Sequence, residues 1–166
     1  MEIFQTIWTA LTTPNETLSN LISLPFFFVE TLVNMLLFTT LFNIESNKKL
    51  KIIYVIFSAM TSWLTRIFIP DPYGTFINIF IMFLLIKFIF KVSVLKSILS
   101  IFIPLCFNIV LELFLLKVYD NLFNIMYESA RTIPIFRFLL ASSIYICVFI
   151  IYRLIKYFKF NVNLDF

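Results

Sequence analysis

The sequence predicts an all-α integral membrane protein. It would be a bundle of about five transmembrane helices behind an N-terminal interfacial amphipathic helix, oriented N-out/C-in. Three observations carry that prediction. Hydrophobic residues fill 61% of the 166 positions and charged residues only 13%, against roughly 25% charged residues in soluble domains. Five apolar runs, at about 18–44, 50–70, 73–91, 95–118 and 134–158, reach the ~20 residues that a helix needs to cross hydrocarbon. The basic residues gather at alternate junctions between those runs, which is a topology signal. Residues 1–13 are assigned to the interfacial helix and residues 14–166 to the transmembrane bundle.

Residues 3–11 are too short to cross. Ile3, Phe4, Ile7, Trp8 and Leu11 share one helical face, opposite Gln5, Thr6, Thr9 and Thr13. Such a helix lies in the membrane surface, with Trp8 as its anchor. The opening "MEIFQTIW" lacks the basic start of a secretory signal, so no cleavage is expected. In "TPNE", Thr13 is placed to cap the next helix, Pro14 to take its first position and Glu16 to close a capping box. Pro25 and Pro104 each remove an amide hydrogen from a spanning helix, freeing the Leu21 and Ser100 carbonyls. Kinks are expected at both. Ser58, Ala59 and Ser62 give the second span a small face for close packing.

In "IPDPYG", Asp71, Pro72 and Gly74 take favoured places of a type I turn, which predicts a tight hairpin between the second and third spans. The connection "DNLFNIMYESARTIP" is longer and partly apolar; it reads equally as a surface-lying lid or as a plain linker. Lys48, Lys49, Lys51, Lys87, Lys91, Lys96, Arg153, Lys156 and Lys159 fall on one side of the bundle. Arg66, Lys117, Arg131 and Arg137 fall on the other. The richer side is the cytoplasmic one. Their topological arrangement also explains the net charge of +4 without nucleic acid as a partner.

Several chemistries are excluded. The chain has no histidine and one glycine, so histidine-based catalysis, histidine phosphotransfer and a glycine-rich phosphate cradle are absent. Cys106 and Cys147 lie far apart in apolar runs and read as buried, inert thiols rather than a disulfide or a metal site. No catalytic residue, cofactor or metal is expected.

The polar residues inside the spans are more informative. With a rise of about 1.5 Å per residue, Glu30 falls within ~2 Å of the midplane, and Asn108 at a similar level. Asn78 lies about 6 Å outward, Glu112 about 7 Å, Arg66 about 9 Å, and Arg137 and Lys117 about 13–15 Å. Together they form a ladder from the outer face to the bilayer centre. A lone carboxylate there costs ~2.5–3.5 kcal/mol. A protonated Glu30 avoids that cost and could donate a hydrogen bond to Asn108, while Glu112 and Arg66 are level enough to pair. Three readings stand: interhelical glue, a pocket for a ligand or signal, and a path for ions or protons. For the pocket reading the ligand-binding residues are Glu30, Arg66, Asn78, Asn108, Glu112 and Arg137. Arg137 and Lys117 also fit simple snorkelling to the interface.

The phrases "IWTALTTPNETL", "MLLFTTLFNI", "IPDPYGTFINI" and "LKSILSIFIPLCFNIVLELFLLKVY" resemble the amino-terminal membrane sensor of clostridial-type sensor histidine kinases of the GHKL class, relatives of peptide-pheromone receptor kinases. The resemblance covers nearly the whole chain. It implies a homodimeric multi-pass receptor of the cell membrane, working in two-component, quorum-sensing signal transduction. Its partners would be the lipid bilayer and a peptide or small-molecule signal. The family continues into dimerisation helices and an ATP-binding domain, and neither a phosphoacceptor histidine nor a nucleotide-binding box occurs here. The expectation is therefore a sensor module alone, a truncated gene product or a fragment, in each case without kinase activity. The alternative is a small membrane transport component, such as the substrate-binding subunit of a vitamin importer.

Overall fold

The structure, a computed structural model, describes residues 2–70, 72–123 and 132–162. Regular structure among them is helical: α1 (Glu2–Thr12), α2 (Glu16–Leu21), α3 (Leu24–Leu41), α4 (Lys48–Phe68), α5 (Tyr73–Phe90), α6 (Val94–Phe123) and α7 (Pro134–Tyr157). Five of these, α3 to α7, are long and apolar enough to cross a membrane. The chain is a multi-pass membrane protein in architecture.

The helix α3 sits at the centre. It packs on α4, α6 and α7, while α4, α5, α6 and α7 follow one another in an arc around it. A helix apolar on every side is the kind that buries on every side, and α3 divides its circumference between two cores. Val33 and Leu37 meet Leu116, Leu140, Ile144 and Val148 of α6 and α7. Met35, Phe38 and Leu41 meet Tyr54, Ile86 and Phe90 of α4 and α5. In the second core the Phe38 ring stands edge-on to those of Tyr54 and Phe90, with centroids 5.7 Å apart in each case. The small face of α4 is buried as its composition requires, with Ser58 and Ala59 both fully enclosed. Large apolar side chains such as Phe68, Phe76, Val110 and Phe114 remain on the outside, a surface compatible with lipid. Cys106 is exposed among them rather than buried.

Three local expectations need correction. The run 18–44 is not one helix but two, α2 and α3, parted at Ile22 and Ser23. Pro25 occupies the first turn of α3, where its missing amide hydrogen costs nothing. Ser23 turns its hydroxyl onto the Asn20 carbonyl at 2.6 Å, a local bond that competes with continuing the helix. Pro25 thus starts a helix instead of kinking one, whereas Pro104 is carried inside a continuous α6. Thr13 does not cap α2 either. It closes α1, its hydroxyl donating to the Thr9 carbonyl at 2.8 Å, and Asn15 caps α2 by accepting from the Leu18 amide at 2.9 Å. The capping-box role of the Glu16 side chain falls outside the described residues.

The turn between α4 and α5 is tight. The Gly74 amide donates to the Pro70 carbonyl at 3.2 Å, and a Cβ at Gly74 would stand 2.8 Å from the Ile69 carbonyl oxygen. Asp71, and the lid or linker expected at 124–131, lie outside the described residues. The helix α6 runs on to Phe123, past the expected end at 118. The helix α1 exists as anticipated, with Phe4, Ile7 and Trp8 exposed. Its threonines satisfy themselves, Thr9 and Thr12 donating to the Gln5 and Trp8 carbonyls at 2.8 Å.

Candidate functional site: a charged cleft inside the bundle

Three spanning helices each bring polar residues at i and i+4, the spacing that puts them on one face: Glu30 and Asn34 on α3, Ser62 and Arg66 on α4, and Asn108 and Glu112 on α6. The helix α7 adds Arg137 and Tyr145, two turns apart on one face. The faces converge on a cleft of about 340 Å³ bordered by Glu30, Arg66, Asn108, Glu112, Arg137 and Tyr145. Five of the six residues singled out in the sequence therefore meet at one place. Asn78 does not border this cleft.

The internal partners differ from those expected. Glu30 accepts a hydrogen bond from the Tyr145 hydroxyl at 3.1 Å, not from Asn108. The Asn108 amide donates instead to Asn34 Oδ1 at 3.4 Å. Arg66 and Glu112 both border the cleft, but no ion pair within 4.0 Å joins them among the described residues. The reason is positional: α4 and α6 do not pack on each other, since α3 and α5 hold them apart. Equal depth along the membrane normal leaves lateral separation open.

Arg137 does not merely snorkel. Its Nη1 donates to Ser19 Oγ at 3.0 Å and to Asn20 Oδ1 at 2.8 Å, clamping α7 to the short helix α2. Trp63 adds a third tie, donating from Nε1 to the Asn20 carbonyl at 3.2 Å. A planar guanidinium suits such a two-acceptor grip. Sequence reasoning missed Tyr145, Ser19, Asn20 and Asn34. The first and last had a usable signal, standing two turns from Arg137 and one turn from Glu30.

Behind the cleft lies a second, inner chamber of about 120 Å³ among α3, α4, α5 and α6. It shares Phe27, Glu30 and Asn108 with the cleft. Asn78 belongs here, its Oδ1 accepting from the Ser62 hydroxyl at 3.1 Å.

Fold and site together define the class: an all-helical multi-pass membrane protein with a polar cleft between its spans. No family model, curated protein or solved structure matches the chain.

Proposed function

We propose that this chain is the ligand-detecting membrane part of a two-component sensor, reading a small zwitterionic signal such as a short peptide or an amino acid. The single observation that carries the reading is the cleft itself. Two arginines and two glutamates from four helices border it, so it is formally neutral yet charged at several points. A ligand with both signs of charge would find complementary groups there without adding net charge to the bundle. The volume is at the lower end of the roughly 300–1,000 Å³ of small-molecule sites. With the N-out orientation that the basic residues favour, the mouth near Arg66 and Arg137 faces outward. The resemblance to kinase sensor domains supplies the signalling role, the homodimer and the cell-membrane location.

A second reading, the substrate-binding subunit of an importer, is favoured by the inner chamber, because a polar space that continues from the cleft toward Asn78, Ser62 and Ser100 suits passage as well as detection. One experiment addresses both. The purified chain, with Trp8 replaced by Phe so that Trp63 is the sole tryptophan, is titrated in nanodiscs with amino acids and short peptides, using Trp63 fluorescence as the readout. Saturable quenching by a zwitterion, lost when its amine is acetylated or its carboxylate amidated, is the expected result. No saturable response from any of them refutes the zwitterion reading. Accumulation of the active compound inside cells that overproduce the chain would favour the importer.

A further inference from the structure

We propose, building on the zwitterion reading of the cleft, that the guest is bound in one direction. Its carboxylate lies on Arg66 of α4, and its primary ammonium lies on Glu112 and Asn108 of α6. The four charged residues of the cleft are not equivalent. Arg137 is spent on Ser19 and Asn20, and Glu30 holds the Tyr145 hydroxyl; both fasten one helix to another. Arg66 and Glu112 border the same cleft, yet among the described residues neither makes a hydrogen bond or an ion pair. They stand on two helices that α3 and α5 keep apart. A cation and an anion facing one space, each with its hydrogen-bonding capacity unspent, fit the two ends of one zwitterion. Such a guest leaves the formal charge of the cleft at zero.

A second observation specifies the amine. Asn108 stands one turn before Glu112 on α6 and borders the cleft too, and its Oδ1 is buried with no hydrogen-bond donor. Its amide nitrogen already donates to Asn34, so what this face of α6 lacks is a donor. Side chains at i and i+4 stand about 5–6 Å apart at Cβ, a gap that one nitrogen spans with bonds of ~2.8 Å to an oxygen on each side. A primary ammonium brings three N–H groups and serves Asn108 Oδ1 and the Glu112 carboxylate together. A quaternary amine brings none. At the other end, the Arg66 guanidinium offers a carboxylate two parallel N–H groups. Arginine has no acceptor and an ionised glutamate no donor, so the guest does not bind reversed.

The full Trp8→Phe chain in nanodiscs is titrated with dialanine and the amino acids other than tryptophan and tyrosine, followed by Trp63 fluorescence. The strongest responder is then compared with its N-acetyl, N-trimethyl and C-amide derivatives. Each derivative should bind about tenfold or more weakly than the free zwitterion. Glu112→Gln should abolish the discrimination against the N-acetyl form and keep that against the C-amide, and Arg66→Gln should do the reverse. No saturable response from any compound refutes the zwitterion reading and the binding direction with it. A response whose discrimination survives both substitutions overturns the direction alone, as does discrimination lost in Glu30→Gln or Arg137→Lys instead. An N-trimethyl form that binds as tightly as the free amine overturns the primary ammonium. If a glutamine variant fails to fold, Glu112→Asp or Arg66→Lys, which keeps the charge and alters its reach, takes its place. The free zwitterion should then bind about fivefold more weakly, with the N-acetyl form unchanged in Glu112→Asp and the C-amide form unchanged in Arg66→Lys; undiminished binding overturns the assignment.

Discussion

Arg137 holds α2 through Ser19 and Asn20, and hydrogen bonds from a charged donor are worth ~1.5–3 kcal/mol each. Arg137→Met keeps much of the stem and loses both bonds. It should lower the unfolding free energy by a few kcal/mol, measured by denaturant titration in micelles, with Arg137→Lys recovering only part. For Glu30 and Tyr145 a double-mutant cycle is the sharper test. Tyr145→Phe removes the donor to Glu30 Oε2, and the coupling with Glu30→Leu should be at least ~0.5 kcal/mol; zero coupling would deny the bond. Glu30→Gln, which keeps an acceptor for Tyr145, should leave folding nearly unchanged. Glu112→Gln should be mild as well, because Glu112 has no ion pair with Arg66 to lose. What the sequence made legible at this scale was height: depth arithmetic put Glu30, Asn108, Glu112, Arg66 and Arg137 on one ladder. What it did not supply was azimuth. The direction of each side chain around its helix decides whether Glu30 meets Asn108 or Tyr145.

Among the elements, the α4–α5 hairpin rests on one small residue. Gly74→Ala would press a methyl to within 2.8 Å of the Ile69 carbonyl oxygen and 3.3 Å of that of Thr65, both of them backbone atoms with little freedom to yield. Overpacking of this kind costs about 1–3 kcal/mol, and a thermal melt should show it as a lower midpoint. A Gly74→Ala protein as stable as the parent would contradict the close approach. The spans themselves were readable because apolar length is a one-dimensional property. The break before α3 was not, although its signal was present. A proline soon after a polar Ser-Asn pair can begin a helix as easily as bend one, and the local bond from the Ser23 hydroxyl to the Asn20 carbonyl settles it.

Across the whole molecule, the two cores meet in α3, so the bundle has no spanning helix more enclosed than the one that carries Glu30. In a chain without its native cysteines, single cysteines at Tyr73 and Asp120 should react with an impermeant reagent on intact cells, and those at Lys48 and Lys159 only after permeabilisation. The inverse pattern would refute N-out/C-in and turn the cleft mouth toward the cytoplasm. The number of spanning helices and the all-helical class are legible from composition and run length, since a bilayer imposes both. Helix order around the centre was not, because a lipid-facing and a core-facing apolar side chain are chemically alike.

The amide of Val162 donates to the Leu41 carbonyl at 2.8 Å, fastening the segment beyond α7 to the far end of α3. Glu30 lies on that same helix, about 16 Å up its axis from Leu41. Mechanically, α3 is a lever with the cleft at one end and a clasp at the other: tilting it by about 5° sweeps the clasp through ~1.4 Å over that length. Because backbone joins backbone, the clasp is indifferent to side-chain identity at either position, and ordinary substitutions should leave it closed. Val162→Pro, which deletes the donor, is the exception. It should leave the cleft's occupancy intact and let the distal arm swing free, seen as a wider distribution of distances between spin labels at the exposed positions 45 and 161.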